Sequence, residues 1–169
     1  MKRMTMVVIT AGLMAAPAQA VQLDGAGDVV AESPTPNLDR ARELRLQAEA
    51  LFSQPRQWKK AVRLLEESAS LRGDDDRDAS ACLALAGRLR HALGDYSGAR
   101  QTLARAGDRA MARGSVLEAA HAYLDAAHAA VKEENGAAAH ELVARALLLT
   151  ESPLLTDEQR EAVSRRVAE

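Results

Sequence analysis

Residues 87–106 read Gly87-Arg88-Leu89-Arg90-His91-Ala92-Leu93-Gly94-Asp95-Tyr96-Ser97-Gly98-Ala99-Arg100-Gln101-Thr102-Leu103-Ala104-Arg105-Ala106. Gly94-Asp95 interrupts an apolar-periodic run, and Asp95 suits the N-cap of a new helix. Beyond the break Ala99, Leu103 and Ala106 follow at i, i+4 and i+7, which sets a small, a large and a small residue on one helical face. Such a stripe lets two helices approach closely. The pattern occurs earlier in the chain as Ala61, Leu65 and Ser68, and again, at nearly the same offset, as Ala139, Val143 and Ala146. Three residues before the first alanine stand Trp58 and Tyr96, rings large enough to fill a helix-turn-helix corner; the third copy has Gly136 there. Self-similarity at a near-fixed period sets the architecture more firmly than any single helix.

Working outward, apolar-periodic stretches alternate with short breaks at Ser53-Gln54-Pro55, Gly73-Asp74-Asp75-Asp76, Gly94-Asp95, Arg113-Gly114-Ser115, Glu134-Asn135-Gly136 and Ser152-Pro153. The spacing predicts helices near 37–52, 56–71, 77–92, 96–112, 116–133, 137–150 and 157–168. Ser115-Val116-Leu117-Glu118 reads as a capping box, Asn135 as a cap, and Thr156-Asp157-Glu158-Gln159 as the opening of the last helix. That helix carries Ala162, Val163 and Val167 on one side and Arg160, Glu161, Arg165 and Arg166 elsewhere, as suits a terminal cap. Composition agrees with an all-α chain: 36 of 169 residues are alanine and only 2% are aromatic, too few β-formers for a sandwich or barrel.

The N-terminus reads as an address. Lys2 and Arg3 precede the apolar run Val7–Ala16, and Ala18-Gln19-Ala20 supplies small residues around a cleavage bond, so residues 1–20 form a signal peptide. The run is too short to span a bilayer, which takes roughly 20 apolar residues. Residues 21–37 mix small, acidic and proline residues and read as a flexible leader before a helical domain at 38–155 and a capping helix at 156–169. The full chain holds 22 Lys+Arg against 24 Asp+Glu; losing Lys2 and Arg3 leaves 20 against 24, or −4. Neither a nucleic-acid stripe nor a membrane-binding patch is expected from that balance.

Few residues suggest chemistry. Cys82 is the single cysteine, so no internal disulfide forms, and its face with Leu85 and Leu89 reads as core. Asp74, Asp76 and Asp78 begin like a calcium loop, but Ala79 and Leu85 stand where its glycine and closing carboxylate belong. His121 and His128 lie two turns apart with Asp125 between them, and His91 and His140 stand elsewhere, without HxxxH or HExxH spacing. No phosphate loop or nucleophile elbow occurs. The expectation is no catalysis, no cofactor and no metal.

The second copy, with Gly87, Gly94, Asp95-Tyr96, Ala99, Leu103 and Ala106, resembles a tetratricopeptide repeat. The first copy keeps Trp58, Ala61 and Leu65, and the third Ala127, Ala139 and Ala146, at intervals longer than that family's own period. The resemblance implies an α-solenoid of about three helical hairpins plus the C-terminal capping helix. It also implies that the first helix of each pair lines a concave groove, with Glu43, Leu46 and Ala50, then Ala84, Arg88 and His91, then His121, Leu124, His128 and Lys132 facing inward. Arg88 would hold an acidic group of a partner through a forked pair of hydrogen bonds and Lys132 would add a charge. The function so implied is an exported, non-catalytic scaffold binding a protein or peptide in that groove, in the periplasm first and secreted second, with no nucleic acid and no membrane span after signal removal. The alternative is a helical-bundle protein binding a small ligand or metal on the His91, His121 and His128 face.

Overall fold

The computed structural model describes residues 36–73 and 76–168; the stretch expected to be a signal peptide, most of the expected leader, Asp74, Asp75 and Glu169 lie outside the described residues. Among the described residues seven α-helices follow in order: α1 (Pro36–Glu49), α2 (Trp58–Ser70), α3 (Arg77–Ala92), α4 (Tyr96–Ala112), α5 (Val116–Lys132), α6 (Gly136–Thr150) and α7 (Asp157–Ala168), with a 3-10 turn at Pro55–Gln57. No strand occurs among them.

The connections explain the spacing. Helices α3, α4 and α5 end alike: Gly94 N–H donates to the His91 carbonyl and Asp95 N–H to that of Arg90, with the same pair of bonds at Gly114/Ser115 and Glu134/Asn135. This pair of hydrogen bonds closes a helix when the first residue past its end adopts left-handed backbone. Gly94 and Gly114 do so at φ 77° and 75°, and Glu134 at φ 60° is the non-glycine exception. Positions 94, 114 and 134 are evenly spaced, so helices of matched length follow one another through the same turn.

Capping follows the sequence in most places. Asp95 accepts from Gly98 N–H at 3.0 Å, Asn135 from Ala138 N–H at 3.1 Å, and Thr156 and Gln159 bond each other's backbone N–H reciprocally. Asp76 caps α3 by accepting from Asp78 N–H at 2.7 Å. The expected capping box at Ser115 does not form. Arg113 explains why: its Nε donates to Ser115 Oγ at 3.0 Å and its Nη2 to Glu118, so both would-be capping side chains are already engaged. α1 also stops at Glu49 rather than near residue 52, because the bonds at Leu51 and Phe52 tighten to i−3 ahead of Pro55.

Each helix packs on the next from α1 to α7, and far slighter next-but-one contacts join α3 to α5 and α5 to α7. The small-large-small stripes form these seams. Ala61, Leu65, Ala99, Leu103, Ala106, Ala139 and Ala146 are all buried. Ser68 is buried as well, donating to the Ala41 carbonyl at 2.7 Å and touching Cys82 Sγ at 3.6 Å. Gly87 is small because Leu103 lies on it: a Cβ there would fall 2.5 Å from Leu103 Cγ. Gly107 makes the same room for Tyr123, a role that nothing in the repeat pattern signals. Trp58 fills its corner and donates from Nε1 to the Phe52 carbonyl at 2.9 Å. Tyr96 instead meets His91 edge to face at 5.2 Å.

Candidate binding face

Helices α3, α5 and α7 share a face whose centre is Asp125. It sits on the middle of α5, with 16% of its side chain exposed, and receives guanidinium groups from both neighbours. Arg88 of α3 donates from Nε to Oδ2 at 3.0 Å, with Nη2 at the same distance, and Arg166 of α7 donates from Nη2 to Oδ1 at 2.6 Å. Arg166 Nη1 also stands 2.9 Å from His121 Nδ1. An arginine has only donors, so this imidazole nitrogen is the unprotonated acceptor. Burial first, and the Arg166 charge next, push the His121 pKa down, against the pull of Asp125.

Beside this cluster the His91 and His128 rings lie 5.0 Å apart, tilted by 32°. Burial, then His128, then Lys132 lower the His91 pKa, so its imidazole is neutral at pH 7. Its Nε2 is buried without a hydrogen-bond partner among the described residues, and adding a proton there would leave a charge poorly solvated.

Three clefts open along α5. A cleft of about 380 Å³ between α3 and α5 is floored by Ala81, Ala84, Leu85, Ala106, Ala110 and Ala122 and edged by Arg77, Arg88, Glu118 and His121. A second of about 260 Å³ lies among Arg88, His91, Leu103, Asp125 and His128. A third of about 360 Å³ is lined by Leu124, Val131, Val143 and Val167 with His128 and Arg166 at its edge. Arg88 borders the first and second, and His128 the second and third. The result is apolar floor divided by a polar partition, the usual composition of a ligand or peptide site.

The structure brings Arg88, His91, His121 and His128 together on this face. Lys132 stands exposed at the end of α5, acting on His91 through its charge. Leu124, expected to project into the groove, is only 6% exposed and packs into the core beside α6, at the bottom of the third cleft. Glu43, Leu46 and Ala50 are exposed on and just past α1 but border none of these clefts. The carboxylate that Arg88 holds is the protein's own, Asp125, rather than a partner's, and only Nη1 remains without a bond among the described residues. Asp125 bonds neither histidine ring. Arg166, expected on the polar outside of α7, instead joins the face through a partner 41 residues earlier in the chain.

Among the described residues no group of three or more His, Cys, Asp or Glu side chains comes together to hold an ion, and no helix is long and apolar enough to cross a membrane. Cys82 is free and buried, and burial raises its thiol pKa. No protein-family model matches the chain, and none of the curated proteins matches it in sequence. What the described residues define is an all-helical arrangement of serially packed helices with a charged, cleft-bearing face on α3, α5 and α7.

Proposed function

We propose that this chain is an exported, non-catalytic scaffold of the tetratricopeptide kind, which binds an extended segment of another protein along the face of α3 and α5. One observation carries the reading: beyond the dominant packing of each helix on the next, slight next-but-one contacts run along α3, α5 and α7, as in a solenoid whose first helices line the inner side. The clefts on that side support an apolar side chain of the partner over Ala84 and Leu85 and an acidic one beside Arg88 Nη1. Two guanidiniums share the single carboxylate of Asp125, so the face carries a surplus positive charge that favours an acidic segment. The preformed helices need little ordering on association. Export rests on residues 1–20 of the sequence, with the periplasm as the first destination and the medium as the second.

The test is selection from a displayed peptide library against the chain lacking residues 1–20. Enrichment of segments pairing an acidic residue with a small aliphatic one is expected, with Kd weakened about tenfold by Arg88→Ala, or ~1.4 kcal/mol. Random recovery, or binding indifferent to Arg88→Ala and Ala84→Glu, overturns the assignment. The small-ligand alternative draws on the 260 Å³ cleft at His91 and His128. A thermal shift with small organic acids that His128→Ala abolishes would favour it over the peptide reading.

A further inference from the structure

The attachment of α7 differs along its length. It is pinned as far as Val163: Arg160 Nη2 donates to the carbonyls of Ser152 and Leu155 at 3.1 and 3.0 Å, and Val163 is completely buried. Its end past Val163 has Arg166 and the partly buried Val167, which lines the cleft of about 360 Å³ between α5 and α6. Within that end, the described polar contacts to the rest of the fold are those of Arg166 to His121 Nδ1 and Asp125 Oδ1. Asp125 is already shared with Arg88.

We propose that His121 is an acid-sensitive latch: when Nδ1 takes up a proton, the Arg166 guanidinium is expelled and the end of α7 past Val163 lifts away, uncovering the cleft beside Val167. The geometry allows little else. A protonated Nδ1 has no lone pair to accept the Arg166 hydrogen, and arginine does not give up its proton to compensate. Three cations, Arg88, Arg166 and the imidazolium, would then face one carboxylate, and the imidazolium itself competes for Asp125. The other charged groups around His121 are Glu118 on its own helix and Arg77 across the α3–α5 cleft. Glu118 is bonded to Arg113 and lies 3.3 Å from Arg77, so it is not available to neutralise the ring.

The sign follows from the direction of the His121 shift. Burial first, and the docked Arg166 charge next, hold its pKa below the ordinary 6.5; undocking removes the Arg166 share, so His121 takes up the extra proton more readily when the end of α7 is undocked. Docking is therefore at full strength above that ordinary value. It weakens as pH falls through 6.5 toward the docked pKa, by up to about tenfold for each pH step between the two values. The latch operates whether or not the face binds a peptide.

Hydrogen exchange of the full chain at pH 7.5 and 5.0, corrected for intrinsic rates, tests it. Protection of residues 164–168 should fall at pH 5.0 while that of α3 and α4 holds. His121→Gln, which offers a non-titrating acceptor, should abolish the fall, and His128→Gln should retain it. Protection in the wild type that changes less than about twofold, or an equal fall in His121→Gln, overturns the proposal. Should His121→Gln misfold, an NMR titration of the imidazoles decides: Arg166→Gln should raise the His121 pKa toward 6.5, and an unchanged value overturns the latch.

Discussion

Gly87→Ala adds one methyl group at the seam between α3 and α4. Its Cβ would lie 2.5 Å from Leu103 Cγ and 2.8 Å from Cδ2, and Leu103 is 1% exposed. The clash falls on a branch carbon in the core, where no flexible end can swing aside, so the cost belongs near the upper part of the ~1–3 kcal/mol range for overpacking. Helix propensity returns about 1 kcal/mol, leaving a net loss of about 2 kcal/mol. For a chain of this size that lowers Tm by roughly 4–8 °C. Gly136→Ala is the control, since nothing lies within 4 Å of its new methyl; it should be neutral or stabilising. Leu103→Ala alone should cost about 2–5 kcal/mol, but combined with Gly87→Ala the two losses should fall short of additivity by about 1–2 kcal/mol. Urea denaturation followed by far-ultraviolet circular dichroism measures all four chains. A Gly87→Ala variant as stable as wild type, or strict additivity with Leu103→Ala, would refute the close packing of this seam.

Three further substitutions probe other features. Glu134→Gly relieves the left-handed non-glycine residue at the end of α5, where Gly94 and Gly114 set the pattern, and should stabilise by about 0.5–1 kcal/mol in urea melts. Tyr123 donates to Asp108 Oδ1 at 2.8 Å, and burial, then that carboxylate, push its pKa up to about 12. The raised value means its contribution to stability is intact below pH 10 and is lost as pH rises toward 12. Tyr123→Phe should therefore flatten the pH dependence of Tm in that window, and an unaltered profile would assign the loss to other groups. Asp125→Asn leaves Arg88 and Arg166 without their carboxylate and should cost about 1–3 kcal/mol, with the loss of exchange protection concentrated in α7.

The helices were legible because their signals are local. Gly94-Asp95 and Glu134-Asn135 mark turns through backbone geometry that neighbours alone impose, and the Ala61, Ala99 and Ala139 stripes mark seams through a period that survives in sequence. Ser115 misled for a reason no local rule contains: Arg113 reached both members of its capping box. The face was half legible. Arg88, His91, His121 and His128 follow from a register argument, and the structure gathers them. Leu124 misled because α5 is covered on more than one side, so an arc that a lone amphipathic helix would expose is packed beside α6. Arg166 escaped notice because its partner lies 41 residues earlier in the chain, and long-range ion pairs leave no periodic trace in a single sequence.

The central claim is that another chain lies along α3 and α5. A photo-crosslinking side chain in place of Ala84, on the floor of the 380 Å³ cleft, reports contact there in the native cell, and the same group in place of the exposed Leu148 on α6 serves as reference. A bound acidic segment predicts discrete adducts from position 84 that Arg88→Glu abolishes and that map to an acidic stretch of the partner. Adducts from position 148 alone, or none from position 84, would contradict it.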